Sequence, residues 1–387
     1  MFFLFVLTKD VRVMGGEHDT LIAIWMVLTW SFTACFHGLH PTLDPWGQPI
    51  TGARLALAGQ PLCASRPLRA VIWVVAGDMD YLANEIGLPN QASESPCAFC
   101  FGNKGDKNIF DFRPGSAWRA ACYSAEQTRA MAPLHPVLTV PGCVYECFHL
   151  DCLHVLEYGP VAHSIGNLCA DICYEELQMN KGKALLELNK RIVDIQCKFK
   201  IPSAQRGAPL DYNDFCPSRQ QYPIFTHWKA SKIRYFVPVA LELGRQLKTS
   251  DGYAQHRHAV FAALDEIYAI IDEYPLRYPL SVSAKLTSAF NAALLRYAWL
   301  AKHAARSGQL RWSMVPKHHY AAHMPAQAVF LAIKATWCYG GESLVGKGAV
   351  LAHACSSGTP SHKIFVAFLK KYMVAMHLRF TLDFDVE

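Results

Sequence analysis

The chain has 387 residues, of which 52% are hydrophobic, and its 37 basic and 31 acidic side chains give a formal net charge of +6. This composition excludes an intrinsically disordered chain, and the length allows one large domain or two ordinary ones. The 14 cysteines are scattered, and Met1–Leu7 lacks the basic start and the apolar length of a secretory signal. We therefore expect reduced thiols in an intracellular protein.

Three apolar runs occupy the first 90 residues, separated by turns rich in Gly and Pro: Phe2–Leu7, Leu21–Phe36 and Ala70–Ala76. They predict strands of a sheet with a helix or loop between them. Leu21–Phe36 is nearly uncharged but slightly short for a membrane span, and its composition suits a buried strand or helix. We therefore expect no association with a membrane.

A carboxylate follows the third apolar run. The β-branched segment Arg69–Ala76 predicts a buried strand, and Asp78 lies just beyond it. Catalytic groups collect at the carboxyl ends of strands in α/β folds. The alternative is that Asp78 caps the N-terminus of a helix over Met79–Ile86, and position alone favours this alternative.

Cysteine and histidine pairs indicate a metal site. Cys97-x-x-Cys100 has the spacing of half a zinc site, inside an irregular insertion over about 91–145. His319 and His323 are four residues apart and would share one face of a helical turn. We expect these four side chains to bind structural Zn²⁺. Other candidate ligands lie nearer to Cys97 and Cys100 in sequence but are not paired at a zinc-site spacing: Cys122, His135, Cys143 and Cys147.

Two further motifs contain carboxylates. Asp151 and His154 are three residues apart and would share a helix face, as metal ligands, as an acid–base pair or through a structural hydrogen bond. Glu342 lies at the start of a segment of small residues, where the alternative interpretation is a first-turn Glu favoured by the helix dipole.

The middle of the chain is predicted to be mostly helical, with helices over Tyr253–Tyr274, ending before Pro275, and over Ser283–Arg306. A basic helical stretch follows at Lys363–Arg379. A mostly helical region thus covers 146 to about 310, and a further region covers 311–387.

The order of these motifs resembles that of the DDE/D transposases of cut-and-paste DNA transposons, most closely the plant CACTA type. In that family a strand ends at an Asp and a Cys-x-x-Cys follows, as at Asp78 and Cys97–Cys100. A Pro-Lys-x-His segment, here Pro316–His319, precedes the helix with the last Glu. The V(D)J recombinase similarly shares zinc ligands between a Cys-x-x-Cys and a His pair. The likeness covers most of residues 65–165 and 312–380.

The resemblance implies an α/β, RNase H-like mixed sheet flanked by helices and interrupted by the zinc knuckle and by a helical insertion. It divides the chain into 1–165, the helical insertion over 166–311, and 312–387. Asp78 would match the second catalytic Asp and Glu342 the third acid, and Asp10 is the best candidate for the first. Two Mg²⁺ (or Mn²⁺) ions between such carboxylates would support DNA cleavage and strand transfer. Asp151 and His154 match the family's DxxH motif, whose role stays open.

The partners implied by the resemblance are the double-stranded DNA of transposon ends and a second copy of the chain, in the nucleus. Lys and Arg side chains of the insertion and of Lys363–Arg379 would contact the DNA backbone. Two alternatives stay open. One is a non-catalytic, zinc-stapled module that binds DNA or protein. The other is an unrelated zinc hydrolase that uses Asp151 and His154.

Overall fold

A computed structural model describes residue 13 and residues 19–120, 122–124, 126–127, 130, 135–144, 147–226, 228–247, 251–356 and 358–384. These residues form two compact units, each assembled from segments that are distant in sequence. The first unit comprises the described residues within Met1–Ile72, Leu134–Cys143 and Cys338–Glu387. The second comprises those within Trp73–Pro133 and Val144–Trp337.

Helices dominate both units. In chain order they are α1 (Thr20–His37), α2 (Met79–Asn84), α3 (Ala162–Asp171), α4 (Lys181–Lys198), α5 (Tyr212–Phe215), α6 (Ala230–Gln246), α7 (Gly252–Glu273), α8 (Leu280–Arg306), α9 (Pro316–Gln327), α10 (Ile333–Thr336), α11 (Tyr339–Ser356) and α12 (Ser361–Phe384). Short 3₁₀ helices cover Gly52–Leu57, Ala117–Ala120, Pro136–Thr139 and Ser203–Gln205, and π-helical turns cover Leu153–Val161 and Ile172–Glu176.

The described residues contain two strands of three residues each, β1 (Val75–Gly77) and β2 (Phe148–Leu150). They pair in parallel, with Val75 opposite Phe148 and Gly77 opposite Leu150. The predicted RNase H-like mixed sheet is therefore wrong, because helix accounts for 60% of the structure and strand for 4%. Only the end of the run predicted as a strand, from Val75 onward, is extended and paired.

The other two apolar runs have different outcomes. Phe2–Leu7 lies outside the described residues. Leu21–Phe36 is part of α1, which begins where the Asp19 side chain accepts hydrogen bonds from the backbone N–H groups of Leu21 and Ile22. It ends at Gly38, whose φ of 70° is the left-handed conformation that glycine adopts readily. Asp19 satisfies the first free N–H groups, and the run forms the helix that its composition also allowed. The expected burial is wrong, because no residue of this helix is buried.

Helix α1 is the one described helix that is long and apolar enough to cross a membrane, with a mean hydropathy of 1.5. Length and composition are the only features that favour a membrane span. They are weak support, because signal sequences and the core helices of soluble proteins meet the same criteria. In the same unit α11 and α12 pack through a core of Cys355, Ile364 and Phe368. The predicted basic helix over Lys363–Arg379 is confirmed as part of α12.

The second unit is built on a pair of long helices, α7 and α8, which pack along their apolar faces. The side chain of Asp251 caps α7, and α7 ends before Pro275, as predicted. The predicted helix over Ser283–Arg306 is also confirmed, and Gly308 follows its end with a φ of 67°. Both helices are amphipathic, which is why periodicity predicted them.

Candidate metal centre

The four predicted zinc ligands come from two parts of the second unit. Cys97 and Cys100 lie in an irregular segment, whereas His319 and His323 project from successive turns of α9. Pro316 occupies the first turn of α9. Backbone N–H groups in the first turn have no hydrogen-bond partner within the helix, so a proline there costs no hydrogen bond. All four side chains are buried.

The ligand atoms converge. Cys97 Sγ lies 3.5 Å from His323 Nε2, Cys100 Sγ lies 3.3 Å from His319 Nε2, and the two Nε2 atoms are 3.2 Å apart. All four atoms lie within 4.8 Å of one another. A tetrahedral Zn²⁺ with bonds of about 2.3 Å to sulfur and about 2.0–2.1 Å to nitrogen separates S from N by about 3.6 Å and N from N by about 3.3 Å. The four side chains therefore form a group that can bind a metal ion of this size.

Backbone groups complete the coordination environment. The N–H of Phe99 donates to Cys97 Sγ and the N–H of Gly102 to Cys100 Sγ, each at 3.3 Å. His319 Nδ1 lies 3.1 Å from the carbonyl oxygen of Ile109. Since a carbonyl only accepts, Nδ1 holds the ring proton and Nε2 presents its lone pair to the cluster. These contacts orient the ligands before an ion arrives.

The protonation preferences suit metal binding. The hydrogen bond from Cys97 lowers the pKa of the Cys100 thiol, and the bond to His319 acts in the same direction. Burial raises the pKa of Cys97. Burial also lowers the pKa of His319 and keeps its imidazole neutral. A thiolate and a neutral imidazole are the forms that coordinate a metal, whose charge would also favour ionisation of Cys97.

An apolar and aromatic shell surrounds the cluster. The Trp118 ring lies 4.5 Å from the His319 ring and 5.1 Å from the His323 ring. A Cβ atom at Gly102 would lie 2.8 Å from Ile109 Cγ2 and 3.1 Å from Cys100 Sγ. Glycine is therefore required where the loop passes the thiolate. The sequence interpretation missed Trp118 and Gly102, although a glycine two residues after the second cysteine is a usable signal.

The other cysteines and histidines considered as ligands are not in this cluster. Cys122 is exposed and forms a single backbone bridge with Cys100. His135 and Cys143 belong to the first unit. Cys147 is buried next to β2. Among the described residues, the Cys₂His₂ cluster is the one group of three or more His, Cys, Asp or Glu side chains suited to a metal ion. The described carboxylates thus provide no such group for the predicted catalytic Mg²⁺.

Asp78 is the N-cap of α2. Its carboxylate accepts a hydrogen bond of 2.5 Å from the backbone N–H of Tyr81. The alternative interpretation of Asp78 as a helix cap is therefore confirmed, with α2 ending two residues earlier than the predicted Ile86. A catalytic role for Asp78 stays a prediction.

Asp151 and His154 form a hydrogen-bonded pair at the end of β2. The Asp151 carboxylate is fully buried and lies 2.6 Å from His154 Nδ1, and it also accepts from the backbone N–H of His154 at 3.1 Å. A direct hydrogen bond of this kind is what both the acid–base pair and the structural hydrogen bond predict, so those two interpretations stay open. Within the described part of the chain, neither residue belongs to a metal-ligand cluster.

Asp10 and Glu342 are the other two acids that the sequence predicted to be catalytic. Asp10 lies outside the described residues. Glu342 lies near the start of α11, in the first unit, whereas Asp78 belongs to the second. Their assignment as catalytic acids stays a prediction.

Comparisons with protein-family models, with curated proteins and with solved structures found no match to this chain.

Proposed function

We propose that this chain is a non-catalytic DNA-binding protein stabilised by a structural Zn²⁺ ion. The convergence of Cys97, Cys100, His319 and His323 carries the proposal. Structural zinc sites are closed by four protein ligands, whereas catalytic sites keep one position for water or substrate. Here all four positions are filled by buried protein side chains, so bound zinc would lack an open position for chemistry.

The ion would hold an irregular segment against a helix. Between α2 and β2 the described residues contain no named α-helix or strand, only short helical turns and isolated bridges such as Cys100 with Cys122, so the Cys97–Cys100 segment has few backbone ladders of its own. Coordination by two residues of this segment and two of α9 joins parts of the chain more than 200 residues apart. Because the unfolded chain lacks this geometry, the free energy of metal binding contributes to folding.

The DNA partner is supported by the formal net charge of +6 and by the resemblance of the motif order to DDE transposases. Duplex DNA, a second copy of the chain and a nuclear location all belong to this proposal. Binding that depends on phosphate contacts would weaken steeply as salt rises, because each neutralised phosphate releases counterions.

Metal analysis of purified protein tests the zinc site. We expect one Zn²⁺ per chain in the wild type and in the control Cys197→Ser, whose cysteine is exposed. Cys100→Ser should lose the ion. Its destabilisation should be several kcal/mol, corresponding to a fall in Tm of about 10 °C or more. Equal zinc content and equal Tm in all three proteins would refute the structural zinc site.

Fluorescence anisotropy with a labelled duplex tests the DNA partner. Zinc-loaded wild type should bind at about 50 mM salt and release the duplex by about 200 mM. If neither a duplex nor a single strand binds at low salt, the DNA-binding proposal fails, whatever the zinc content.

DNA strand cleavage is a second candidate function, favoured by one observation. Asp78 and Asp151 directly follow the paired residues Gly77 and Leu150, so the parallel strands bring both acids to the same end of the sheet. Nicking of supercoiled DNA with Mn²⁺ tests it, with wild type compared with Asp151→Asn. No nicking by the wild type, or equal nicking by the two proteins, would refute this function.

A further inference from the structure

One face of α8 combines an exposed tryptophan with cationic side chains. It lies opposite the buried stripe of the helix. Its members recur at helical spacing, and His256 of α7 adjoins them. We call this face the Trp299 surface; it consists of His256, Asn291, Arg296, Trp299, Lys302 and Arg306.

A cavity of about 440 Å³ opens on this surface, with Asn291, Leu295, Arg296 and Trp299 of α8 and His256 of α7 in its lining. This volume is within the range of pockets that hold small ligands or parts of larger ones. The lining combines an aliphatic side chain, aromatic rings, an amide and a guanidinium. A planar, polar group next to a negative charge would match this chemistry.

The aromatic part of the surface is already ordered. The His256 ring stacks on Trp299 with centroids 3.8 Å apart and planes 9° apart. His303 lies nearly parallel to Trp299, at 5.1 Å and 15°. Trp299 is still 37% exposed. His256 therefore covers one face of the indole. An unpaired base would stack on the aromatic surface that the three ordered rings leave exposed, with little loss of side-chain entropy.

The charge of the surface favours an anion. Arg296, Lys302 and Arg306 are exposed. Arg296 Nη1 lies 3.3 Å from His256 Nδ1, so the arginine donates and this nitrogen accepts. The carboxylate of Asp111 acts on Lys302 but is paired with Arg113 at 2.6 Å. The cations of the surface therefore exceed the negative charge beside them.

We propose that the Trp299 surface binds single-stranded DNA, with bases stacked against the aromatic side chains and phosphates bound by Arg296, Lys302 and Arg306. Aromatic platforms and basic grooves are the two features that single-strand binding combines. In a duplex the base faces are stacked on one another, so a side chain such as Trp299 distinguishes unpaired bases. This inference rests on the proposed DNA-binding function and adds the form of DNA that this surface recognises.

Anisotropy with labelled dT20 and with a 20-base-pair duplex tests the inference on zinc-loaded, full-length protein. Trp299→Ala should weaken dT20 binding about 5- to 150-fold, the range that stacking of one base supplies, and Trp299→Phe should restore much of it. Arg296→Gln should lower the dependence of log K on log salt by about 0.7, as expected for one phosphate of a single strand. Trp46→Ala is the control, since Trp46 is 60% exposed in the first unit.

The outcomes separate this inference from the proposed function. If the wild type binds both DNA forms and Trp299→Ala, at unchanged zinc content and Tm, changes neither affinity, the inference is overturned and DNA binding stands. If the wild type binds neither form, both fail. If poly-L-glutamate binds in a Trp299-dependent way and dT20 does not, the surface recognises acidic peptides, and the inference is again overturned.

Discussion

Replacement of the buried Glu157 should change how stability depends on pH. Glu157 lies in the π-helical turns after β2 and is 0% exposed. Cys152 Sγ lies 3.6 Å from its Oε1 atom. Burial raises the pKa of this carboxyl from 4.5 to about 8, while Arg234 partly offsets the effect. The sequence contained no signal for this side chain.

Proton binding determines whether stability rises or falls with pH. Between about pH 4.5 and 8 the unfolded chain ionises Glu157 while the folded protein keeps it protonated. The folded state therefore binds more protons, and the free energy of unfolding falls as pH rises through this window. At about 1.4 kcal/mol per pKa unit, the loss is at most about 5 kcal/mol, complete above about pH 8.

Urea unfolding of zinc-loaded wild type and Glu157→Gln at pH 5.5, 7 and 9 measures the effect. The amide has the same shape and no titration, so the variant should gain stability relative to wild type by several kcal/mol between pH 5.5 and 9. Glu126→Gln, at an exposed position, is the control. A difference between Glu157→Gln and wild type that stays constant across this range would refute the reasoning.

Two predictions concern packing and buried charge, each measured by urea unfolding at pH 7. A Cβ at Gly166 would lie 2.7–2.9 Å from the backbone of Ile224, so Gly166→Ala should cost about 1–3 kcal/mol. Gly244 also lies in a helix, but a Cβ there would be 3.9 Å from the nearest neighbouring atom, so Gly244→Ala should stabilise the protein by up to about 1 kcal/mol. Equal changes in stability at the two glycines would contradict the contact argument. Arg257 is 1% exposed and pairs with two carboxylates, so Arg257→Met should cost about 3–5 kcal/mol. Arg191→Met, in a more exposed pair, should cost less than about 1 kcal/mol, and a comparable loss in both variants would count against the burial argument.

The sequence was most informative where local geometry decides the outcome. Four residues along a helix always bring two side chains to one face, so the pairing of His319 with His323 could be predicted from spacing. The Cys-x-x-Cys spacing keeps two thiols close in sequence, here in an irregular segment and not on a helix. Whether the two pairs meet depends on the tertiary structure, which spacing does not determine. In the structure all four ligand atoms converge, which confirms a group that can bind a metal.

The sequence was least informative about the sheet. Arg69–Ala76 has the β-branched composition of a strand, yet pairing begins only at Val75, where Phe148 supplies a partner. Strand formation depends on the neighbouring strand more than on intrinsic preference. Leu21–Phe36 is apolar on all sides, so its periodicity could not distinguish helix from strand.

The metal cluster and the Trp299 surface are joined by a short series of contacts. Trp118 packs against His319, and the guanidinium of Arg119 lies 4.5 Å above the Trp118 ring. Arg119 Nη2 also donates to Asn291 Oδ1 at 2.9 Å, and Asn291 lines the cavity beside Trp299. An ion that fixes His319 would thus also limit the positions open to Asn291. Removal of zinc should consequently weaken single-strand binding even though no zinc ligand lies on the Trp299 surface, which is the behaviour of a structural metal.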